Sequence, residues 1–136
     1  MKSQIYTTKV NKLAGTSYGE VYAKAKFVYK KISLKTKRRP YIRAPFFKKE
    51  KVFLDLFWVH LMDKNWQDRL RRLKFYACAL DLIQNSHCKP TTKDNLNNCG
   101  EILHRFSGVT KDGKIFYVQI KENKKDGEKK FMSVFP

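Results

Sequence analysis

The segment ILHRF, residues 102–106, sets a histidine and an arginine among large apolar residues. The segment YVQIK, residues 117–121, breaks a similar run with a glutamine and a lysine. Imidazole, guanidinium, carboxamide and ammonium groups brought to one place suit the cleavage of a phosphodiester without metal. A base takes the proton of a 2′-hydroxyl, cations hold the extra negative charge of the phosphorane, and an acid protonates the leaving 5′ oxygen. Histidine titrates in the range this requires. The chain holds no P-loop, no GxGxxG, no HExxH and no HxE followed by PCxxC, so the chemistry those motifs carry is not indicated. Paired acidic ligands for a two-metal nuclease are also missing, because the acids of the last third fall in turns. His87, Cys88 and Cys99 lack the paired CxxC spacing of a structural zinc site.

Whether the four polar residues share a face depends on register. The last third alternates in three runs, at about 102–109, 114–121 and 129–135, with Asp112-Gly113 and Asp126-Gly127 between them as hairpin signals. A two-residue turn at Asp112-Gly113 sets His104 opposite Lys121 and Phe106 opposite Gln119. Tyr117, Gln119 and Lys121 then form an open face with His104, and Phe131, Ser133 and Phe135 join them. Phe116, Val118, Ile120, Met132 and Val134 form the core face. Arg105 falls on the core side unless a bulge at Gly108 frees it.

The rest of the chain must supply helices for that core face. Ser17 to Glu20 has the form of a capping box. Tyr18, Val21, Tyr22, Ala25, Val28, Tyr29 and Ile32 follow at helical spacing. KTKRRPYIR, residues 35–43, reads as a basic connector into a short extended segment. Phe53, Leu54, Leu56, Phe57, Trp58 and Leu61 are apolar nearly all round, as in a buried helix, and His60 among them reads as a core histidine. Asn65 is the expected N-cap of a further helix with Leu70, Leu73, Ala77 and Leu80 as its stripe. The expected organisation is α+β and a single domain over 1–136. It has a basic helical arm at about 1–40, a helical hairpin at about 48–85 and a three-stranded antiparallel meander at about 100–136, with the helices on one face of that small sheet.

Composition adds a partner. Thirty Lys and Arg against twelve Asp and Glu leave a net charge of +18. Residues 1–51 alone hold fifteen bases and two acids, net +13. Such a balance suits a polyanion, with a membrane surface or an acidic protein as lesser fits. No apolar run is long enough to span a bilayer. Three cysteines without framework spacing point to reduced thiols and a cytoplasmic setting.

The element order and the tail with HRF, VQIKE and SVFP resemble the barnase–EndoU–colicin–RelE nuclease class, in particular its RelE-like toxins of phage type. The resemblance covers about a quarter of the chain. It implies RNA cleavage without metal or cofactor from the open sheet face, RNA or the ribosome as partner, and an acidic antitoxin or immunity protein. His104, Lys121 and Ser133 match the polar positions of that sheet. On this reading His104 is the acid or base, Lys121 and Arg105 stabilise phosphate charge, and Ser133, Gln119 and Tyr117 position substrate. The basic stretch with Lys37, Arg38, Arg39 and Arg43 engages RNA or the ribosome. The other reading is a non-enzymatic RNA-binding module that stacks bases on Phe106, Tyr117 and Phe131 of the same face while that stretch grips phosphate. In either case binding should fall steeply with salt. Replacing Lys37, Arg38 and Arg39 with Gln should flatten the slope of log K against log salt, and an unchanged slope would remove the connector from the contact.

Overall fold

A computed structural model describes residues 4–136. Its strands are β1 (Ile5–Thr7), β2 (Tyr41–Ala44), β3 (Glu50–Phe53), β4 (Thr91–Asp94), β5 (Glu101–Val109), β6 (Ile115–Asn123) and β7 (Lys129–Phe135). Its helices are α1 (Tyr18–Ser33), α2 (Asp55–Leu61), α3 (Trp66–Leu73) and α4 (Tyr76–Asn85). The class is α+β. The sheet, however, has seven strands in the order β1-β5-β6-β7-β3-β2, with β4 also on β5. The expected meander is only its centre. The β1–β5 and β3–β7 pairs are parallel, and the rest are antiparallel. Short strands before α2, together with β4 from the loop after α4, complete this mixed sheet, and the parallel pairings of β1 and β3 have no hairpin signal to mark them.

Local signals explain the helices. Ser17 Oγ accepts the Glu20 N–H at 3.2 Å, and the Glu20 carboxylate accepts the Thr16 N–H at 3.3 Å. The stretch Gly15-Thr-Ser-Tyr-Gly19 has the form GxSxG, but Ser17 is spent as this cap and does not end a core strand as a nucleophile elbow would. Asn65 caps α3 through the Asp68 N–H at 2.9 Å. The stretch expected as a helical hairpin holds β3 and three helices, and the expected arm is docked. Val21 and Ala25 of α1 are fully buried in the same cluster as Leu82, Val118 and Phe131. Buried Asp81 on α4 receives Tyr6 Oη at 3.1 Å and the Lys9 N–H at 2.7 Å, which pins β1 to the helix layer.

The hairpin register differs by one residue from expectation. Thr110 donates its N–H to the Lys114 carbonyl at 2.9 Å, so the loop is three residues, Lys111 to Gly113, with Gly113 at φ 88. That left-handed third position is what three-residue hairpin loops use. His104 therefore pairs with Ile120, Arg105 with Gln119, and Phe106 with Val118. A one-residue shift turns every side chain of β5 to the other face. In β7 a bulge at Met132 lets Phe131 and Val134 both enter the core, and Ser133 pairs with Gln119. Gly108 is required where it lies, since a Cβ there would stand 2.6 Å from the Phe116 ring.

Phe57 is 1% exposed and stacks on Phe131 at 4.9 Å between centroids. Trp58 is only partly buried. Phe57→Ala should cost about 3–5 kcal/mol, as for a buried aromatic, read from the urea midpoint. A loss under about 1 kcal/mol would contradict this packing.

Candidate nucleic-acid interface

The register carries one face across the whole sheet. Tyr41, Phe53, Lys130, Lys121, Leu103 and Lys93 are successive partners from β2 to β4. A second row runs Ser133, Gln119, Arg105, Thr91, and a third runs Phe135, Tyr117, Ser107, Ile5. None of these side chains faces the core.

Two hollows of about 300 and 250 Å³ lie on this face, and Arg105 and Gln119 line both, so they form one groove. The first hollow adds Thr91, Lys93 and Tyr117, and the second adds His60, Lys64, Arg72, Ser133 and Phe135. No carboxylate lines either hollow. His60 and Lys64 come from the end of α2 and the turn after it, and Arg72 comes from α3; both helices pack along β7. The guanidinium of Arg105 stands 5.3 Å from the Phe135 ring and that of Arg72 stands 5.6 Å from it. Two cations on one ring fix the groove floor. Arg72 is oriented by Asp68 at 3.0 Å. Arg105 is exposed and has no ion pair among the described residues, so it is available to a ligand.

His60 is half-buried. Burial pushes its pKa below the ordinary histidine value, and the Lys121 charge lowers it further. The imidazole is thus favoured in its neutral, proton-accepting form.

The sequence-derived site is divided by this geometry. Arg105, Gln119, Ser133 and Tyr117 are together in the groove. Arg105 was expected on the core side, and the one-residue register shift brings it to the open face without any bulge at Gly108. Lys121 is on the same face but ion-paired with Glu101 at 3.2 Å. His104 and Phe106 are on the opposite, core-directed side, 7% and 4% exposed. The reason is again the three-residue loop. His104→Ala would therefore disturb packing and leave the groove untouched. Lys37 and Arg38 are exposed and line a separate hollow with Tyr41, Lys51 and Phe53 at the β2 end of the open face. Arg39 is structural: it holds Asp55 at 3.1 Å and Glu128 at 3.4 Å, and stacks on Phe53 at 4.0 Å. Arg43 donates to the Lys49 carbonyl at 3.0 Å. The flatter salt slope expected of the connector belongs to Lys37 and Arg38, while Arg39→Gln would loosen the fold.

Sequence reasoning missed His60, Lys64 and Arg72 as groove residues. His60 was read as core because its neighbours are apolar all round. No local signal marked them, since α2 ends at Leu61 and Lys64 lies in the turn beyond it.

Among the described residues no group of three or more His, Cys, Asp or Glu is placed to hold a metal ion, and no helix is long and apolar enough to cross a membrane. No family model matches the chain, and no curated protein or solved structure is similar to it.

His60 should titrate below an ordinary histidine by NMR, and Lys121→Gln should move it upward. Because the unfolded chain binds the proton more readily, stability should fall as pH drops through the unfolded value of about 6.5. An unshifted His60 in the folded protein would mean that the imidazole is fully solvated.

Proposed function

We propose that the protein is a small metal-independent endoribonuclease of toxin type that lays RNA across the open sheet face and cleaves it at His60. The observation that carries this reading is the groove itself, in which one imidazole of lowered pKa sits beside three cations and no acid lines the walls. His60 takes the proton of the 2′-hydroxyl. Arg105 and Arg72 hold the charge of the phosphorane, where a cation gains most as charge develops. Lys64, which lines the same hollow as His60, protonates the leaving 5′ oxygen. Tyr117 and Phe135, 5.6 Å apart, offer bases a platform, and Ser133 and Gln119 supply hydroxyl and amide groups for the sugar.

The role given to His104 at the sequence level passes to His60, and that given to Lys121 passes to Arg105 and Arg72. The resemblance to RelE-like toxins rests on the meander alone, since the seven-stranded mixed sheet is not the small sheet the resemblance implies. An acidic protein that covers the open face, in a cytoplasmic setting, is the partner that fits an unbalanced cationic surface. A second reading, binding without cleavage, is favoured by the aromatic platform and by the single imidazole in the groove.

Purified protein with labelled RNA in EDTA should yield 2′,3′-cyclic ends at an undiminished rate. His60→Ala should lower that rate by about 10²–10⁴ with RNA affinity little changed, whereas Arg105→Ala should weaken binding as well. Tight binding with no cleavage by the wild type would replace the nuclease reading with the binding one.

A further inference from the structure

On the side of the sheet away from the groove, His104 belongs to a second constellation. Its Nδ1 stands 2.8 Å from Thr92 Oγ1, and its Nε2 stands 2.7 Å from Glu122 Oε1. A carboxylate only accepts, so Nε2 carries a proton, and in the neutral imidazole Nδ1 presents its lone pair to the Thr92 hydroxyl. Behind Glu122, the buried Lys129 ammonium lies at 3.8 Å and is itself held by Glu50 at 2.6 Å. The Phe47 ring packs edge-on against the imidazole at 5.0 Å. The backbone that delivers Phe47 continues through Lys48 at φ 57 and Lys49 at φ 64. Two consecutive non-glycine residues in that left-handed region carry a conformational cost, and such costs concentrate where geometry matters.

Hydroxyl, imidazole and carboxylate in series are the parts of an activated nucleophile. Two further facts separate this arrangement from a buried histidine that merely has its hydrogen bonds satisfied. Thr92 is exposed on β4, which among the described residues pairs only with β5. The Asn95 N–H bonds the Glu101 carbonyl at 3.0 Å, which fixes the phase of the ladder. Hydrogen-bonded pairs alternate in an antiparallel ladder, so the Thr92–His104 pair is a non-bonded one. The Thr92 N–H therefore points away from β5 at the sheet's open edge, where it can hold an oxyanion formed at its own side chain.

We propose that Thr92 is a nucleophile toward carboxylic esters, with His104 as its base and Glu122 as a positioning residue. Oγ1 bonds to the ester carbon while its proton passes to His104 Nδ1. The carbon–oxygen bond to the alcohol then breaks, and the alcohol leaves with that proton. Water attacks the resulting threonyl ester by the same route and releases the acid. This activity is independent of the RNA groove, with which it shares no side chain.

The test uses diisopropyl fluorophosphate, which reacts with activated hydroxyls. Oγ1–P forms, P–F breaks, fluoride leaves and the proton goes to His104. Mass spectrometry should place one adduct on Thr92 of the folded protein, kept in Thr92→Ser and lost in Thr92→Val. Glu122→Gln should slow the limiting labelling rate at least about tenfold, as expected of a residue that orients the base, without changing the reagent concentration at half-maximal rate. No adduct, an adduct on another residue, or equal labelling of the urea-unfolded chain would overturn the proposal. The comparison of folded and unfolded wild type decides the matter even where Glu122→Gln fails to fold.

Discussion

The Thr110–Lys114 pair closes a loop of three residues, and the alternation of side chains does the rest. From that closure β5 offers Arg105 and Ser107 to one side of the sheet and His104 and Phe106 to the other. The β7 bulge repeats the device by shifting phase once, so that Phe131 and Val134 feed the core while Ser133 and Phe135 meet Gln119 and Tyr117. Both constellations, the cationic groove and the Thr92–His104–Glu122 series, exist only in this phase. One residue fewer in the loop would exchange the faces of His104 and Arg105 relative to β6 and break up both.

The acids are placed as carefully as the bases. Arg39 is held between Asp55 and Glu128, Lys129 between Glu50 and Glu122, and Arg71 and Arg72 on Asp68. Most carboxylates of the chain thus serve the scaffold. The more exposed of these pairs, such as Arg71–Asp68, add little stability each, and none of these acids lines the groove beside Arg105 and Lys93. The groove walls thereby carry Lys64, Arg72, Lys93 and Arg105 with no carboxylate among their lining residues, a positive field that suits an anion.

Much of this was legible in the sequence and some was not. The caps Ser17 and Asn65, the amphipathic stripe of α1 and the three long strands follow from spacing and turn residues. The open-face residues Gln119 and Tyr117 follow from period two, and Ser133 with them, but the β7 bulge at Met132, unmarked in the sequence, turns Phe131 from the expected open face into the core. His104 and Arg105 were interchanged because Asp-Gly does not say whether the loop has two residues or three. The short strands β1 to β4 were largely hidden. The parallel pairings of β1 and β3 leave no local turn signal, and each of the four strands has only three or four residues, too few for a period to show. His60 was hidden by apolar neighbours, since only tertiary packing shows that the end of α2 overhangs the sheet.

Lys26 lies 4.2 Å over the Trp58 ring, with Tyr29 at 5.1 Å and Tyr22 at 5.8 Å. Burial lowers its pKa, with the Lys30 charge adding to the effect. Here a cation joins α1 to α2 through aromatic faces and consumes no carboxylate, in a chain that has few. Contacts of this partly desolvated kind are screened less by mobile ions than exposed charges are. Ionic strength therefore acts unequally on the molecule. Under the proposed function, added salt would loosen the hold on RNA while the helix layer stays docked.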